Sequence, residues 1–76
     1  MDVDRIVRNV WRTVLETDRA QDDDNFFALG GDSLSAMRLM EQVEAALAIE
    51  FPLRTLLTDG RLSALIAACV QLHAVR

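Results

Sequence analysis

The sequence predicts an all-α fold: a four-helix bundle with a short third helix and a long loop between helices 1 and 2. Three observations predict it. Apolar residues recur at spacings of three and four through most of the chain, the period of one helix face. No stretch alternates apolar and polar residues for long enough to make a strand. The backbone punctuators Gly30-Gly31, Pro52 and Gly60 fall between the periodic runs and never inside one. At 76 residues the chain is expected to form one domain, residues 1–76, near the lower size limit for a self-sufficient core, where about 60% of the unfolded surface is buried.

Val3, Ile6, Val7, Val10, Trp11, Val14 and Leu15 make one continuous stripe and place helix 1 at about residues 3–16. Asp2 is its expected N-cap, and Asp4 favours the positive end of the helix dipole. Residues 17–31 have no such period. A loop of this length is unusual in so small a domain, and such loops are often functional. Phe26 and Phe27 are expected to pin its end to the core, and Asp22-Asp23-Asp24 to form a solvated face, since their spacing is not that of a calcium loop.

Helix 2 is expected from Asp32 or Ser33 to about Leu47, with Leu39, Met40, Val43 and Leu47 facing inward and Leu34 and Met37 to one side. Pro52 suits the first position of a short helix 3, Leu53 to Leu57. Leu62, Leu65, Ile66, Cys69 and Leu72 define helix 4, with Thr58 or Asp59 as its cap. Trp11 and Cys69 read as core, and His73 suits the negative end of the last helix.

Composition excludes several functions. The chain is too short for a kinase, a dinucleotide enzyme or a serine hydrolase, and one Cys permits neither an internal disulfide nor a cysteine metal cluster. Net charge is -4, with eight acids and four bases before Ser33 and four of each after it, so the surface is wrong for nucleic acid. All eight bases are Arg, which leaves no Schiff-base lysine. The longest apolar run, Ala64 to Val70, falls far short of the ~20 residues of a membrane helix. The expectation is a cytoplasmic monomer with neither nucleic acid nor membrane as partner.

The chemistry concentrates in Asp24-Asn25-Phe26-Phe27-Ala28-Leu29-Gly30-Gly31-Asp32-Ser33-Leu34. Two glycines allow a tight turn, Asp32 can cap helix 2, and Ser33 then stands at its first turn. Gly31-Asp32-Ser33-Leu34 also spells a short esterase motif, but the one His, His73, lacks an Asp three residues earlier and Val70 stands there. Nor can Gly30-Gly31 cradle a free phosphate with the Asp32 charge at the same place and no adjacent base. A serine modified by another enzyme fits best, because it needs exposure and orientation but no base of its own.

On these residues, together with Pro52-Leu53-Arg54-Thr55-Leu56 downstream, the chain resembles the thiolation, or peptidyl carrier protein, domain of nonribosomal peptide synthesis, over essentially its whole length. The resemblance implies a fold of the carrier-protein type and a phosphoprotein in which Ser33 carries covalent 4'-phosphopantetheine from coenzyme A. Implied partners are a phosphopantetheinyl transferase, an adenylation enzyme or domain that loads an amino or aryl acid as a thioester, and condensation or other acyl-processing enzymes. It also implies a domain that catalyses nothing itself. Asp32 would cap helix 2 or touch the transferase's metal ion. Leu34, Met37 and Arg38, with Leu53 and Leu56 from helix 3, would form a small docking surface.

The chain departs from the family's common form at three places. Asp32 stands where many peptidyl carriers have His, Ala48 where Gly often precedes the Pro by four residues, and Gly60-Arg61 where Pro-Thr is common. If Ala48 is left-handed, the cost is of order 1 kcal/mol. The alternative is an acyl carrier of polyketide or fatty-acid synthesis, disfavoured by the near-neutral helix 2 and the paired phenylalanines. A plain helical interaction module fits the periodicity but leaves Gly-Gly-Asp-Ser unexplained.

Overall fold

A computed structural model describes residues 2–75. Four helices follow in order: α1 (Val3–Leu15), α2 (Ser33–Leu47), α3 (Leu53–Thr58) and α4 (Leu62–Ala74). Among the described residues there is no strand, only an isolated bridge between Asn25 and Arg61. α1 packs on α2 and α4, and α3 lies against α4, within extents of 31 × 22 × 20 Å.

Each long helix buries the face that its spacing predicts. α1 contributes Val3, Val7, Trp11 and Val14, and α2 contributes Ala36, Leu39, Val43 and Leu47. Met40, expected to face inward with them, is only partly buried at the edge of the core. α4 adds Leu62, Leu65, Ile66 and Cys69, while Leu72 stays half-buried. Burial pushes the Cys69 thiol up to about 11, so it sits in the core as a small apolar side chain.

The helix ends follow local chemistry in α1 and α2. Asp2 accepts the N–H of Arg5 at 3.1 Å. α1 stops at Glu16 and α2 at Ala48, both left-handed, with φ of 52° and 54°. Ala48 does occupy the conformation that glycine favours, and its N–H still closes on the Glu44 carbonyl at 2.9 Å. The Glu44 carboxylate reaches past this turn to accept the Phe51 N–H at 2.8 Å, which holds the α2–α3 connection. Pro52 is the residue before α3 rather than its first, a shift of one position.

α4 corrects the expectation of a side-chain cap. Neither Thr58 nor Asp59 caps it: Arg61 is the N-cap residue and makes no side-chain cap bond. Two N–H groups of its first turn are instead taken by the long loop, Leu62 donating to the Asp24 carbonyl at 2.9 Å and Ser63 to the Asp22 carbonyl at 3.0 Å. Asp59 pairs with the Arg61 guanidinium at 2.6 Å.

The loop is held from both sides. Arg8 on α1 donates to Asp4 at 2.6 Å, to the Ala20 carbonyl at 2.6 Å, and to Asp22. Asp24 corrects the reading of a uniformly solvated acidic face: Asp22 and Asp23 are exposed, but Asp24 is buried. Its carboxylate accepts the Gln21 N–H at 2.9 Å and pairs with Arg19 at 2.6 Å. The Gln21 amide foremost, then Arg19, hold that carboxyl below its ordinary pKa.

Candidate functional site

The site is built from the end of the loop and the start of α2. Asn25 organises the approach. Its Oδ1 accepts the N–H groups of Phe27 at 2.9 Å and Ala28 at 3.1 Å, and its Nδ2 donates to the Asp59 carbonyl at 3.2 Å. The Phe26 N–H donates to the Gly60 carbonyl at 2.8 Å, so the segment before the serine is anchored to the residues before α4. Sequence reasoning passed over Asn25. The usable signal was its place just before the Phe-Phe turn, where Asn side chains bond the backbone two residues on.

From Phe26 to Gly31 the chain coils through a tight turn, with Gly30 bonding the Phe27 carbonyl at 3.1 Å and Gly31 the Phe26 carbonyl at 2.9 Å. The two glycines serve different ends. Gly30 has φ +97°, a conformation side chains rarely adopt. Gly31 lies outside that region but packs against the Phe26 ring; a Cβ there would lie 2.7 Å from the Phe26 carbonyl oxygen and closer still to the ring. Phe26 is fully buried and meets Trp11 edge-on at 5.4 Å between centroids. Phe27 departs from expectation: it is 41% exposed and only Phe26 is sunk in the core.

Asp32 then starts α2 through a capping box. Its Oδ1 accepts the Ser35 N–H at 2.9 Å, while its own N–H donates to the Ser35 Oγ at 2.7 Å. These bonds, the Ser35 amide first, lower the Asp32 carboxyl below its ordinary pKa. Ser33 is the first helical residue, exposed, and its hydroxyl makes no hydrogen bond among the described residues. Among the described residues no imidazole or carboxylate is hydrogen-bonded to it.

Two depressions lie beside the start of α2, and Ser33 lines one of them. On one side an apolar groove of about 220 Å³ runs between α2 and α3, lined by Ser33, Ala36, Met37, Met40, Leu53 and Leu57. On the other a polar groove of about 210 Å³ lies toward the end of α1, with Glu16, Gly30, Asp32 and Arg38 in its wall. Leu34, Met37, Arg38 and Leu53 are all exposed around the serine. Leu56 is the exception: it is completely buried and belongs to the core, not to a docking surface. Its neighbour Leu57, at 63% exposure, takes the outward place beside Leu53. The four-residue spacing of Leu53 and Leu57 was the overlooked signal.

This arrangement fits a group attached through a phosphodiester. The hydroxyl is exposed at the first position of α2, held there by the Gly30-Gly31 turn and the Asp32 cap. Among the described residues no cluster of His, Cys, Asp or Glu is arranged to hold a metal ion, and no helix is long and apolar enough to cross a membrane.

Comparison with known proteins agrees with the geometry. The family described as "Phosphopantetheine attachment site" matches residues 5–69. Malpinin synthetase of Mortierella alpina is 41% identical over 54 residues, which is 71% of this chain and 1% of that protein. Gramicidin S synthase 2 of Brevibacillus brevis is 38% identical over 64 residues, 84% of this chain and again 1% of the relative. The chain thus spans about a hundredth of these curated relatives. Among solved structures, a chain in the complex of the phosphopantetheine transferase Sfp with coenzyme A and a peptidyl carrier protein superposes with a TM-score of 0.84 at 30% identity, covering 93% of this chain and 92% of that one. An active-site mutant of a peptidyl carrier protein gives 0.85 at 29% identity, covering 96% and 81%. With an exposed serine opening its second helix and a family match across most of its length, the chain belongs to the phosphopantetheine attachment-site family, as a carrier domain of the nonribosomal peptide synthetase kind.

Proposed function

We infer that residues 1–76 act as one non-catalytic carrier domain whose point of attachment is Ser33. The observation that carries this reading is the free, exposed Ser33 hydroxyl at the first position of α2, fixed there by the Gly30-Gly31 turn and the Asp32 cap. A phosphopantetheinyl transferase supplies the base that Ser33 lacks. The serine oxygen bonds to the phosphorus that bears the pantetheine, the phosphoanhydride of coenzyme A breaks, and the adenosine bisphosphate leaves. Bound, phosphopantetheine supplies a thiol at the end of a flexible arm, the point of acyl attachment.

The chain's own residues position and present. Asp32 orients the first turn through the cap; its carboxylate is already engaged with Ser35 and acts as a positioning group. Leu34, Met37, Arg38 and Leu53 offer partner enzymes a small exposed surface around the serine. A small surface suits a carrier that must leave each partner in turn, because tethering raises the effective concentration of the cargo without tight docking. The partners are the transferase, an adenylating enzyme that selects an amino or aryl acid, and condensing or other acyl-processing enzymes.

The test is to incubate the chain with coenzyme A and a promiscuous phosphopantetheinyl transferase and to weigh it. One phosphopantetheinyl group is expected, and none on Ser33→Ala, even though Ser35 and Ser63 remain. Absence of a mass gain in the parent chain overturns the reading. Loading of the product by an amino-acid adenylating enzyme rather than a malonyl transferase distinguishes the peptidyl from the acyl type.

A further inference from the structure

α3 is the element least able to keep its own place. It has six residues, makes no side-chain cap bond at Pro52, and buries only Leu56. A helix so short is not stable in water by itself. Yet it has to hold Leu53 and Leu57 outward, near the start of α2. Its course is set by the connection 48–52, which turns at the left-handed Ala48.

Glu44 grips that connection twice. Its main-chain carbonyl accepts the Ala48 N–H at 2.9 Å, and its carboxylate accepts the Phe51 N–H at 2.8 Å. The second bond spans seven residues and leaves the helix, so α2 itself does not require it. Among the described residues the other glutamates, Glu16, Glu41 and Glu50, are exposed and make no such bond, and no Arg pairs with Glu44. Pro52 has no N–H, and the Leu53 N–H turns back to the Phe51 carbonyl at 2.8 Å. Phe51, itself buried, therefore joins the Glu44 carboxylate to the first residue of α3, through its N–H on one side and its carbonyl on the other.

We propose that Glu44 is a positioning residue for partner recognition: by holding the Phe51 amide it fixes the angle at which α3 leaves α2, and with it the placement of Leu53 against an incoming phosphopantetheinyl transferase. This inference rests on the carrier reading, in which Leu53 belongs to the docking surface around Ser33. A hydrogen bond to a carboxylate is stronger than one between neutral groups, which suits a joint that must keep two elements aligned while partners come and go. Glu44 lies near the far end of α2, about three turns and roughly 16 Å from Ser33, so it touches neither the serine nor the Asp32 cap.

The experiment follows transfer from coenzyme A by a promiscuous phosphopantetheinyl transferase as carrier concentration is varied, once loading of the parent chain is verified by mass. Glu44→Ala is expected to raise KM for the carrier roughly three- to tenfold, with kcat within about twofold of the parent. Glu44→Gln keeps an oxygen for the Phe51 N–H and is expected to restore the parental KM, with slow exchange of the Phe51 amide that Glu44→Ala loses. Leu53→Ala also raises KM, and the double variant is expected to fall short of the product of the single effects, because both act at one place. Should Glu44→Ala fail to fold, Glu44→Asp, one methylene shorter, takes its place in each comparison. A folded variant without the bond that keeps the parental KM overturns the proposal. So does a Glu44→Gln no better than Glu44→Ala, or full multiplication with Leu53→Ala. A parent chain that gains no mass strikes the assignment of Ser33 instead, so the two failures are distinguishable.

Discussion

Replacing Gly31 by alanine tests whether the turn before Ser33 is set by packing rather than by backbone freedom. The added Cβ would lie 2.7 Å from the Phe26 carbonyl oxygen and nearer still to the Phe26 ring. That ring cannot yield cheaply, because it is fully buried and seated edge-on against Trp11, itself fully buried. Overpacking of this kind costs about 1–3 kcal/mol, and loss of the 2.9 Å bond from Gly31 N–H to Phe26 adds about 1 kcal/mol. For a domain of this size the sum lowers Tm on the order of 10–30 °C. Gly30→Ala makes the control. It meets no atom within 4 Å and costs only the strain of φ +97°, about 1–2 kcal/mol, or roughly 5–15 °C in Tm. Thermal unfolding followed by far-UV circular dichroism separates the two. A Gly31→Ala variant that melts within about 4 °C of the parent, or above Gly30→Ala, would refute the packing argument.

Further outcomes follow from the rest of the fold. Ala48→Gly relieves an exposed left-handed residue and is expected to raise stability by about 0.5–1 kcal/mol, seen as a higher Tm with Ser33 loading unchanged. Leu56→Ala is expected to cost about 2–5 kcal/mol because its side chain is fully buried, whereas Leu34→Ala changes stability by no more than about 0.5 kcal/mol and slows loading instead; equal losses of Tm would contradict their placement. Asp4, Asp24, Asp32 and Asp59 have carboxyl pKa values below the ordinary 3.8 in the folded chain, so the unfolded chain takes up their protons first as pH falls. Their stabilising effect is complete above the ordinary value and is lost as pH drops through the folded values. Tm should therefore be level between about pH 7 and 5 and fall below about pH 4, with a shallower fall for Asp24→Asn.

What could be read beforehand, and what could not, divides along the range of the interactions involved. The long helices and the placement of Ser33 depend on spacings of three and four and on residues next to each other in sequence. Asp2 and Asp32 behave as their neighbourhoods dictate, while the left-handed Ala48 was legible only from the glycine that the resembled family often has there. The misreadings involve partners far along the chain or elements too short to show a period. α3 has six residues, too few turns to distinguish its faces, so Leu56, expected on the docking surface, is buried and Leu57 takes the outward place. Asp24 looks like one of three equivalent acids until Arg19 and the Gln21 amide close on it. The cap of α4 comes from carbonyls about forty residues away, which no local motif announces.

That distant cap has a consequence for recombining such domains. Asp22 and Asp24 serve α4 through their main-chain oxygens, and Gly60 serves Phe26 in the same way. The side chain at 22 has no part in these main-chain bonds, although its carboxylate still pairs with Arg8, whereas the number of peptide units between 22 and 26 decides whether they form. A chimera that grafts the opening half of one carrier onto the closing half of another keeps these main-chain bonds to its last helix only when loop length is matched. A single insertion or deletion in that interval, chemically innocuous on its face, leaves the amides at the start of α4 without their acceptors.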